Sequence, residues 1–483
     1  MHSPFDMAGF LLVSVLDCCI GKSKAFELSS KLMAGMRIIE DSVVFPPHGW
    51  VLQASTLPLT FFDIHWLGSS PMQRLFFYDF PHSCSHFIQT VLPNLKSSLS
   101  LALQHFFPLA GNLVLPPPPQ MPYIRIGHGD SVRFIAKEST GDFGHLVGDH
   151  ARDSEEFQAL LPKLKKAQKV KPLMAVQTTV FPGAGIALGV TFNHVVADGR
   201  AFIHFVKSWA FLNASQGDSS VVNKYPLPDY NRDLIKERDP QELIASRFMK
   251  DKWDWEDLVT TSPTNKLRLT FVIKRSQVEL LKNWVSRKLM EENGSEKIRV
   301  STFVVTCAYM WVCLNKLQEN GSESDDCLSH LIFLADCRRH LELPEAYFGN
   351  CLEPRFAAAK KRELAKENGI LVAAKAIGRQ VMELEEVGAL SEAEKWISKS
   401  EERFKSGDHV ITIAASPRLG VYETDFGWGR PRKTEVAHIG SLGSISMAES
   451  REDQGGVEFG LALSQHELHR FDAVFLRGLQ QLP

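Results

Sequence analysis

The pattern of hydrophobic and polar positions changes its period once between residues 186 and 213. In the first part, large apolar residues alternate with small or polar ones, which predicts a β-strand through Ile186, Leu188, Val190 and Phe192. Beyond Gly199, apolar residues recur at the spacing of a helix, at Phe202, Phe205, Val206 and Trp209. Two ionisable residues, His194 and Asp198, lie between the strand and the helix. The sequence therefore predicts a turn that holds two ionisable side chains between two apolar elements.

Similar periods elsewhere predict a mixture of strands and helices. Pro93 stands at a favourable first-turn position of a helix with one apolar face, and Met174–Phe181 should form a hairpin with Ile186–Asn193. Two further strands, Tyr123–Ile126 and Val132–Ala136, are predicted to pair around a Gly-His-Gly-Asp turn. Because the strands and helices are interspersed and no repeat is present, the pattern indicates the α/β class.

The length of the chain sets its domain organisation. A chain of 483 residues is too long for one hydrophobic core and predicts two large domains or about three smaller ones. Residues 214–240 are polar, contain prolines and lack a sustained period, so we expect a crossover between domains at residues 219–260. The N-terminal domain would span residues 36–218 and the C-terminal domain residues 261–483, with a segment near 395–425 packing on the N-terminal domain. Residues 1–35 are interpreted as an extension outside the fold.

The composition is that of an ordinary globular protein and argues against several classes of function. Hydrophobic residues make up 44% and charged residues 23%, and a formal net charge of −2 argues against a nucleic-acid binder. The eight cysteines form no C-x-x-C pair, so we expect no metal site. The apolar run 8–16 is too short to span a bilayer and lacks the basic start of a signal peptide. We therefore expect a cytoplasmic protein that does not bind membranes.

His194 is suited to proton transfer by its position and its chemistry. A turn at the end of a strand can present the imidazole to an alcohol, and the ordinary histidine pKa of about 6.5 suits general-base catalysis at neutral pH. The alternative is a core histidine beside a capping aspartate, and this segment alone favours neither. Asp198 could orient the imidazole as in a hydrolase dyad, cap the helix, or pair with an arginine.

Five short motifs occur in a fixed order along the chain. They are Leu57–Asp63, Phe107–Gly111, the His-x-x-x-Asp-Gly turn at His194–Gly199, Tyr347–Cys351 and the Asp-Phe-Gly-Trp-Gly run at Asp425–Gly429. Together they resemble the motifs of the BAHD family, the plant CoA-dependent acyltransferases of secondary metabolism. Tyr347–Cys351 resembles the signature of the branch that acylates anthocyanins and other phenolic glycosides. The resemblance extends from about Met36 to the C-terminus.

The resemblance implies a fold, a reaction and residue roles. The fold would be chloramphenicol-acetyltransferase-like, with two similar mixed-sheet domains and a solvent channel between them. The reaction would move an acyl group from a CoA thioester to a hydroxyl, with His194 as the general base. Asp198 would be structural and pair with Arg338, or with Arg339 as the second candidate. A tight structural turn on the CoA side of the channel would be formed by Asp425, Phe426, Gly427, Trp428 and Gly429.

Further candidates concern the oxyanion and the phosphates of CoA. Ser416 is a candidate hydroxyl donor to the tetrahedral oxyanion, because the resemblance places such a donor near it. Losing one oxyanion donor can cost about 3–4 kcal/mol. The phosphates of CoA need backbone N–H groups and cations; the helix start at Ser301 and Thr302 offers the former, and Lys266 and Arg268 are nearby cations in the sequence.

The substrates are predicted from the branch signature and from charge. The acceptor would be a phenolic or flavonoid glycoside such as an anthocyanin, and acyl-CoA would be the co-substrate of a monomeric enzyme without a bound cofactor. A malonyl donor is favoured over a hydroxycinnamoyl donor. Its free carboxylate needs a cation, for which Arg200 is the candidate. A hydrolase is disfavoured because no G-x-S-x-G elbow is present, and a non-catalytic binding relative stays an alternative.

Overall fold

The fold is seen in a computed structural model of the protein. The structure describes residues 35–47, 55–117, 120–165, 169–218, 224–235, 266–292, 298–317, 327–391, 393–405, 409–439 and 444–481. The predicted N-terminal extension lies outside the described residues except for Gly35, and so does most of the predicted crossover, of which residues 224–235 are described. No helix in these ranges is both long and apolar enough to cross a lipid bilayer.

Two mixed sheets and one small antiparallel sheet form the framework. The first sheet has the order β1 (Met36–Val44), β6 (Val132–Ser139), β9 (Met174–Phe181), β10 (Gly185–Phe192), β3 (Met72–Asp79) and β15 (Lys433–Val436). The second has the order β13 (Leu352–Lys360), β12 (Leu328–Asp336), β14 (His409–Ala414), β16 (Ser444–Glu449), β17 (Val457–Leu463), β11 (Leu267–Ile273) and β7 (Arg152–Asp153). The small sheet has the order β2 (Ser55–Pro58), β5 (Tyr123–Ile126), β4 (Asn112–Val114) and β8 (Val170–Pro172).

Helices pack on the two large sheets. The described helices are α1 (Phe61–Ile64), α2 (Cys84–His86), α3 (Leu92–His105), α4 (Phe143–Val147), α5 (Ser154–Ala159), α6 (Gly199–Ala214), α7 (Arg275–Glu291), α8 (Thr302–Leu317), α9 (Lys361–Ala365), α10 (Gly369–Val387), α11 (Trp396–Lys405) and α12 (Gln465–Gln480). Single turns of 3-10 helix occur at Phe107–Ala110, Arg232–Leu234, Ala393–Lys395 and Val421–Glu423, and a π-helical turn at Phe87–Val91. The predicted α/β class is confirmed, and Pro93 does lie in the first turn of a helix.

The predicted pairing of Tyr123–Ile126 (β5) with Val132–Ala136 (in β6) is wrong. β9 and β10 form the expected hairpin, but β5 pairs with β2 and β4 while β6 pairs with β1 and β9. Asp130 explains the divergence, because its carboxylate accepts hydrogen bonds from the Gly127 backbone at 2.8 Å and from Asn112 at 2.8 Å. The turn is thereby tied to β4 instead of closing a hairpin. An alternating pattern fixes which face of a strand is buried but not its neighbour.

The two halves of the chain exchange strands at the junction of the two large sheets. β15, from the C-terminal half, pairs with β3, and β7, from the N-terminal half, pairs with β11. The core of the first sheet also includes Trp396, Val421 and Tyr422, which come from the segment expected to pack there. Because each sheet contains a strand from the other half, the two halves are joined by backbone hydrogen bonds. The domain boundaries themselves stay a prediction.

Candidate active site

His194 lies just beyond the end of β10, an interior strand of the first sheet. All residues of β10 are buried, and the Asn193 backbone donates to Leu173 O at 2.8 Å just beyond the strand. A short turn follows, and α6 begins at Gly199. His194 is 5% exposed. The apolar strand and helix thus fix the backbone on both sides of the histidine, as the sequence predicted.

Asn350 determines which nitrogen of His194 carries the proton. The amide nitrogen of Asn350 faces three oxygens, donating to Asp63 Oδ1 at 2.9 Å, His194 O at 2.8 Å and Val195 O at 3.2 Å. Its amide oxygen must therefore face His194 Nδ1, which lies 3.0 Å away. Because that oxygen can only accept, Nδ1 carries the proton and Nε2 keeps its lone pair. The imidazole is held as a base that acts through Nε2.

Trp66 holds the imidazole from its face. The two rings are stacked, with centroids 3.6 Å apart and an angle of 9° between their planes. Such a contact removes one face of the imidazole from water and opposes rotation about its side-chain bonds. The edge contact with Asn350 and the face contact with Trp66 together define the orientation of the base.

A buried carboxylate anchors Asn350 in turn. Asp63 has no exposed surface and accepts hydrogen bonds from the Asn350 backbone at 3.2 Å and from the Thr60 backbone and hydroxyl at 2.9 Å each. Arg232 stands 3.9 Å from Asp63 and donates to the Tyr347 hydroxyl at 2.6 Å. The motifs Leu57–Asp63 and Tyr347–Cys351 therefore meet on the Nδ1 side of His194.

Replacing Asn350 with alanine should lower kcat/KM by about 10- to 100-fold, because the imidazole loses the partner that fixes its tautomer. This range corresponds to a lost buried hydrogen bond of about 1–3 kcal/mol. Steady-state kinetics and inhibition by free CoA would be measured together, and the CoA inhibition constant should not change. Full activity of the variant would show that the tautomer does not depend on Asn350.

Burial sets the protonation state of the base. It lowers the pKa of His194 to about 4 against the weaker raising effects of its hydrogen bonds, Asp198 and Asp63. The imidazole is therefore neutral at pH 7 and can accept a proton.

The profile of kcat/KM against pH should keep its plateau well below the ordinary histidine pKa of 6.5 and fall only toward pH 4. Protonation of Nε2 below that pH removes the base, so the activity is lost on the acidic side. Initial rates between pH 4 and 8, with stability checked at each pH, would test this. An acid limb centred near 6.5 would contradict a desolvated base in the free enzyme.

Asp198 points away from His194 and forms the predicted ion pair. Its Oδ2 contacts Arg338 Nη1 at 2.8 Å and accepts from the Cys351 backbone at 3.1 Å, and its Oδ1 accepts from the Ala201 backbone at 2.9 Å. Asp198 and Arg338 are 0% and 2% exposed at their side chains. Both carboxylate oxygens are occupied and the partner of His194 Nδ1 is Asn350, so a hydrolase-like Asp–His dyad is not formed.

The turn at 425–429 lies at the opposite end of α6. Asp425 Oδ1 accepts from the Gly427 and Gly429 backbones at 2.7 and 2.9 Å, and both glycines have positive φ angles near +90°. Phe426 O accepts from Asn213 at 2.7 Å. Asn213 is 14 residues beyond Gly199, which corresponds to about 21 Å along a helix. This distance favours a structural role for Asp425, Phe426, Gly427, Trp428 and Gly429.

Ser416 lies in a turn close to the start of α6. Its hydroxyl accepts a hydrogen bond from the Arg418 backbone at 3.2 Å. The preceding residue, Ala415, has a strained φ of +70°. Leu419, in the same turn, lies 3.5 Å from where a Cβ at Gly199 would be. The hydroxyl can still donate, so Ser416 stays a candidate for the oxyanion.

The candidates for CoA phosphates need correction. Arg268 is 1% exposed and donates to Val436 O at 2.6 Å and Ala437 O at 3.2 Å besides pairing with Glu435 at 3.2 Å. Its guanidinium belongs to the junction of the two sheets and cannot meet a phosphate. Ser301 does cap α8, accepting from the Val304 backbone at 3.3 Å, and Thr302 begins that helix. Lys266 precedes β11, and its role stays a prediction.

Arg200 is not placed as a substrate ligand. Its guanidinium pairs with Asp336 at 3.2 Å and with Glu345 at 3.6 Å, and its side chain is 41% exposed. A surface guanidinium that already faces two carboxylates is a poor site for a third. Proximity in sequence to His194 was misleading, because the first turn of α6 directs this side chain toward β12 and the loop beyond it.

Sequence reasoning did not assign functions to Asn350, Trp66 or Asp63. Two signals were present. Asp63 is an acid inside an otherwise apolar aromatic run, and a charged residue in such a run is buried only when it is paired. Asn350 lies in a motif that was used only to recognise a branch of a family. Trp66 gave no signal, because its stacking on His194 depends on how α1 meets the β10 turn.

Comparison with known proteins finds relatives over almost the whole length of the chain. A model of the Transferase family matches residues 34–476. The chain is 39% identical, over 92% of its length and 97% of the relative, to coumaroyl-CoA:anthocyanidin 3-O-glucoside-6''-O-coumaroyltransferase 2 of Arabidopsis thaliana. It is 35% identical, over 92% of its length and 98% of the relative, to malonyl-coenzyme A:anthocyanin 3-O-glucoside-6''-O-malonyltransferase of Dahlia pinnata. It is 36% identical, over 85% of its length and 91% of the relative, to phenolic glucoside malonyltransferase 1 of Nicotiana tabacum.

Solved structures share the fold. The crystal structure of vinorine synthase superposes with a TM-score of 0.65, covering 92% of this chain and 98% of that one, at 18% sequence identity. At this identity the likeness concerns the fold alone. It agrees with the predicted arrangement of two mixed-sheet domains.

Proposed function

Since the chain belongs to the Transferase family of BAHD acyltransferases, we propose that it transfers a malonyl group from CoA to a sugar hydroxyl of a phenolic or flavonoid glycoside. The enzyme is a CoA-dependent acyltransferase, and acyl-CoA is its co-substrate. The malonyl donor is supported by the malonyltransferases among its relatives. The acceptor class is supported by the relatives' names, which all specify glucosides.

His194 Nε2 acts as the base in the proposed reaction. As the acceptor hydroxyl attacks the thioester carbonyl, its proton moves to Nε2 and a tetrahedral intermediate forms with a negative oxygen. The carbon–sulfur bond then breaks, the carbonyl re-forms, and the departing sulfur takes the proton from the imidazolium. No covalent bond to the enzyme forms. A positioned base of this kind contributes about 100- to 10,000-fold.

The observation that carries the proposal is the hydrogen bond between His194 Nδ1 and Asn350 Oδ1. It leaves the lone pair of Nε2 directed away from the Asn350 network, and among the described residues Nε2 has no hydrogen-bond partner. A general base needs an unprotonated nitrogen that is free to accept, and Nε2 of His194 meets this requirement because Nδ1 holds the proton. A non-catalytic binding relative is therefore disfavoured.

A panel of acyl-CoA donors with one phenolic glucoside and its aglycone would test the function. We expect a product whose mass increases by one malonyl group, formed only with the glucoside. Product with the aglycone would place the acylated hydroxyl on the phenol instead of the sugar. Absence of product with every donor would exclude acyl transfer.

Hydroxycinnamoyl transfer is the second candidate, and one observation favours it. The relatives at 39% identity are coumaroyltransferases, whereas the malonyltransferases quoted above share 35–36%. The same panel decides, because a coumaroyl product in excess of the malonyl product would assign the donor. A monomeric state and a cytoplasmic location stay predictions.

A further inference from the structure

One arginine of the first sheet is buried without a partner. Arg74 is 3% exposed, and within the described ranges its side chain makes no hydrogen bond or ion pair. Burial lowers the pKa of its guanidinium to about 10. Holding an unpaired charge away from water costs several kcal/mol. The other buried arginines all contact an acceptor or an acid; they are Arg152, Arg232, Arg268, Arg338 and Arg355.

Arg74 lies at the same end of the sheet as His194. In β3 it is opposite Val190 of β10 and opposite Val436 of β15. Opposed residues of antiparallel strands point to the same face, so Arg74 shares a face with Val190 and Phe192. His194 follows Phe192 by two residues. The guanidinium therefore begins on the face from which the catalytic turn emerges.

His438 gives a second, independent link between the two groups. It follows Val436 by two residues, and its Nδ1 accepts from the Gln73 backbone at 3.3 Å. Burial lowers the pKa of His438 to about 3, and the charge of Arg74 and the neighbouring His194 act in the same direction. Arg74 and His194 both affect the pKa of the same imidazole, so both side chains lie near His438.

The nitrogens of Arg74 still reach open space. Some buried arginine nitrogens among the described residues have no hydrogen-bond partner and no contact with open space. One nitrogen each of Arg152, Arg268 and Arg338 is of this kind, but no nitrogen of Arg74 is. The small accessible area of Arg74 therefore includes its nitrogens. A ligand can reach them although the side chain as a whole is buried.

Glu449 attracts Arg74 without contacting it. Its charge raises the pKa of Arg74, yet the two side chains do not come within ion-pair distance. Glu449 Oε1 accepts from the Tyr422 backbone at 3.0 Å, and Oε2 is sealed from open space. The carboxylate thus helps to retain the guanidinium in the interior but leaves its N–H groups available.

We propose that Arg74 binds the free carboxylate of the malonyl donor, an inference that rests on the malonyl transfer proposed above. Of the anionic groups of malonyl-CoA, the phosphates lie at the far end of the pantetheine arm. The carboxylate is one methylene from the carbonyl that reacts beside His194, so it must enter the protein with that carbonyl. A guanidinium can bind it with two parallel N–H···O bonds and replace the water it loses.

Arg74→Met tests the assignment, because methionine keeps much of the side-chain volume and removes the charge. We expect KM for malonyl-CoA to rise by about 30-fold or more, the effect of truncating one member of a buried charge pair. KM and kcat for acetyl-CoA, which has no carboxylate, should stay within about threefold. Arg200→Met is the matched control, since it removes a surface arginine near the same turn and should affect neither donor.

The other outcomes overturn the inference in distinguishable ways. Equal losses with both donors would mean that Arg74 acts on a group common to them or on the fold, and no change with either would exclude it from donor binding. Wild-type transfer of coumaroyl but not malonyl groups would overturn the donor and leave acyl transfer intact. If Arg74→Met does not fold, kcat/KM of the wild-type enzyme is measured with malonyl-CoA and with its neutral methyl ester as donors. Equal kcat/KM values for those two donors would equally overturn the assignment.

Discussion

Replacement of His194 with alanine should lower kcat/KM for acyl transfer by about 100- to 10,000-fold, because the reaction loses the base that accepts the proton of the acceptor hydroxyl. The neutral imidazole presents Nε2 only because Asn350 fixes Nδ1 as the donor and Trp66 covers one face. The alanine variant keeps the backbone of the turn, which β10 and α6 hold on both sides. Steady-state kinetics on soluble protein would measure the loss.

His204→Gln is the matched control for this prediction. His204 is also a buried histidine, and burial, followed by smaller effects of neighbouring groups, lowers its pKa to about 4 as well. It lies on α6 against Phe106, and within the described residues no hydrogen bond or ring contact joins it to Asn350, Trp66 or Asp63. Its variant should stay within about threefold of the wild type. Activity of the His194→Ala enzyme within threefold of the wild type would remove His194 from the mechanism.

Replacement of Asp198 with asparagine should cost about 3–5 kcal/mol of unfolding free energy, the usual effect of removing one member of a buried ion pair. Arg338 would remain 2% exposed and lose its closest acid. Asp198 also accepts from the Ala201 and Cys351 backbones, so the start of α6 and the loop carrying Asn350 would loosen together. We expect lower activity through displacement of His194 and not through loss of a catalytic group.

A double-mutant cycle separates the pair from its surroundings. Asp198→Asn, Arg338→Met and the double variant would be unfolded in urea, and the double variant should lose less than the sum of the two single losses. Strictly additive losses would show that the two side chains stabilise the protein independently. Surface pairs such as Arg37 with Glu138 serve as the comparison, since exposed pairs contribute about 0–1 kcal/mol.

The contribution of Asp198 should depend on pH in one direction. Burial acts to raise the pKa of its carboxyl, but the charge of Arg338 and the hydrogen bonds outweigh it, so the pKa is lowered. A carboxyl with a lowered pKa in the folded state stabilises the protein fully above its unfolded-state pKa. That stability is lost as the pH falls through the folded-state pKa. The Asp198→Asn variant should therefore approach the wild type in stability only under strongly acidic conditions.

The local periodicity of hydrophobic residues in the sequence determined the strand and the helix around the site. The change from a period of two to a period of 3.6 near Gly199 placed β10, the turn and α6, because each period is a direct consequence of backbone geometry. The spacing of His194 and Asp198 could likewise be read from the chain, whereas Arg338 as the partner of Asp198 was implied by the family resemblance. The five motifs indicated the family, and the interspersed strand and helix patterns indicated the α/β class.

Only the tertiary structure decided which side chains meet. The sequence could not show that β5 and β6 belong to different sheets, or that β7 and β15 cross between the halves, because alternation does not specify a neighbour. Sequence proximity suggested Arg200 and Arg268 as ligands, yet both guanidinium groups are paired with acids. The contacts of Asn350 and Trp66 with His194, and the isolation of Arg74 within the sheet, depend on segments far apart in the chain. Their burial and orientation are set by the packing of the two sheets, which no local pattern encodes.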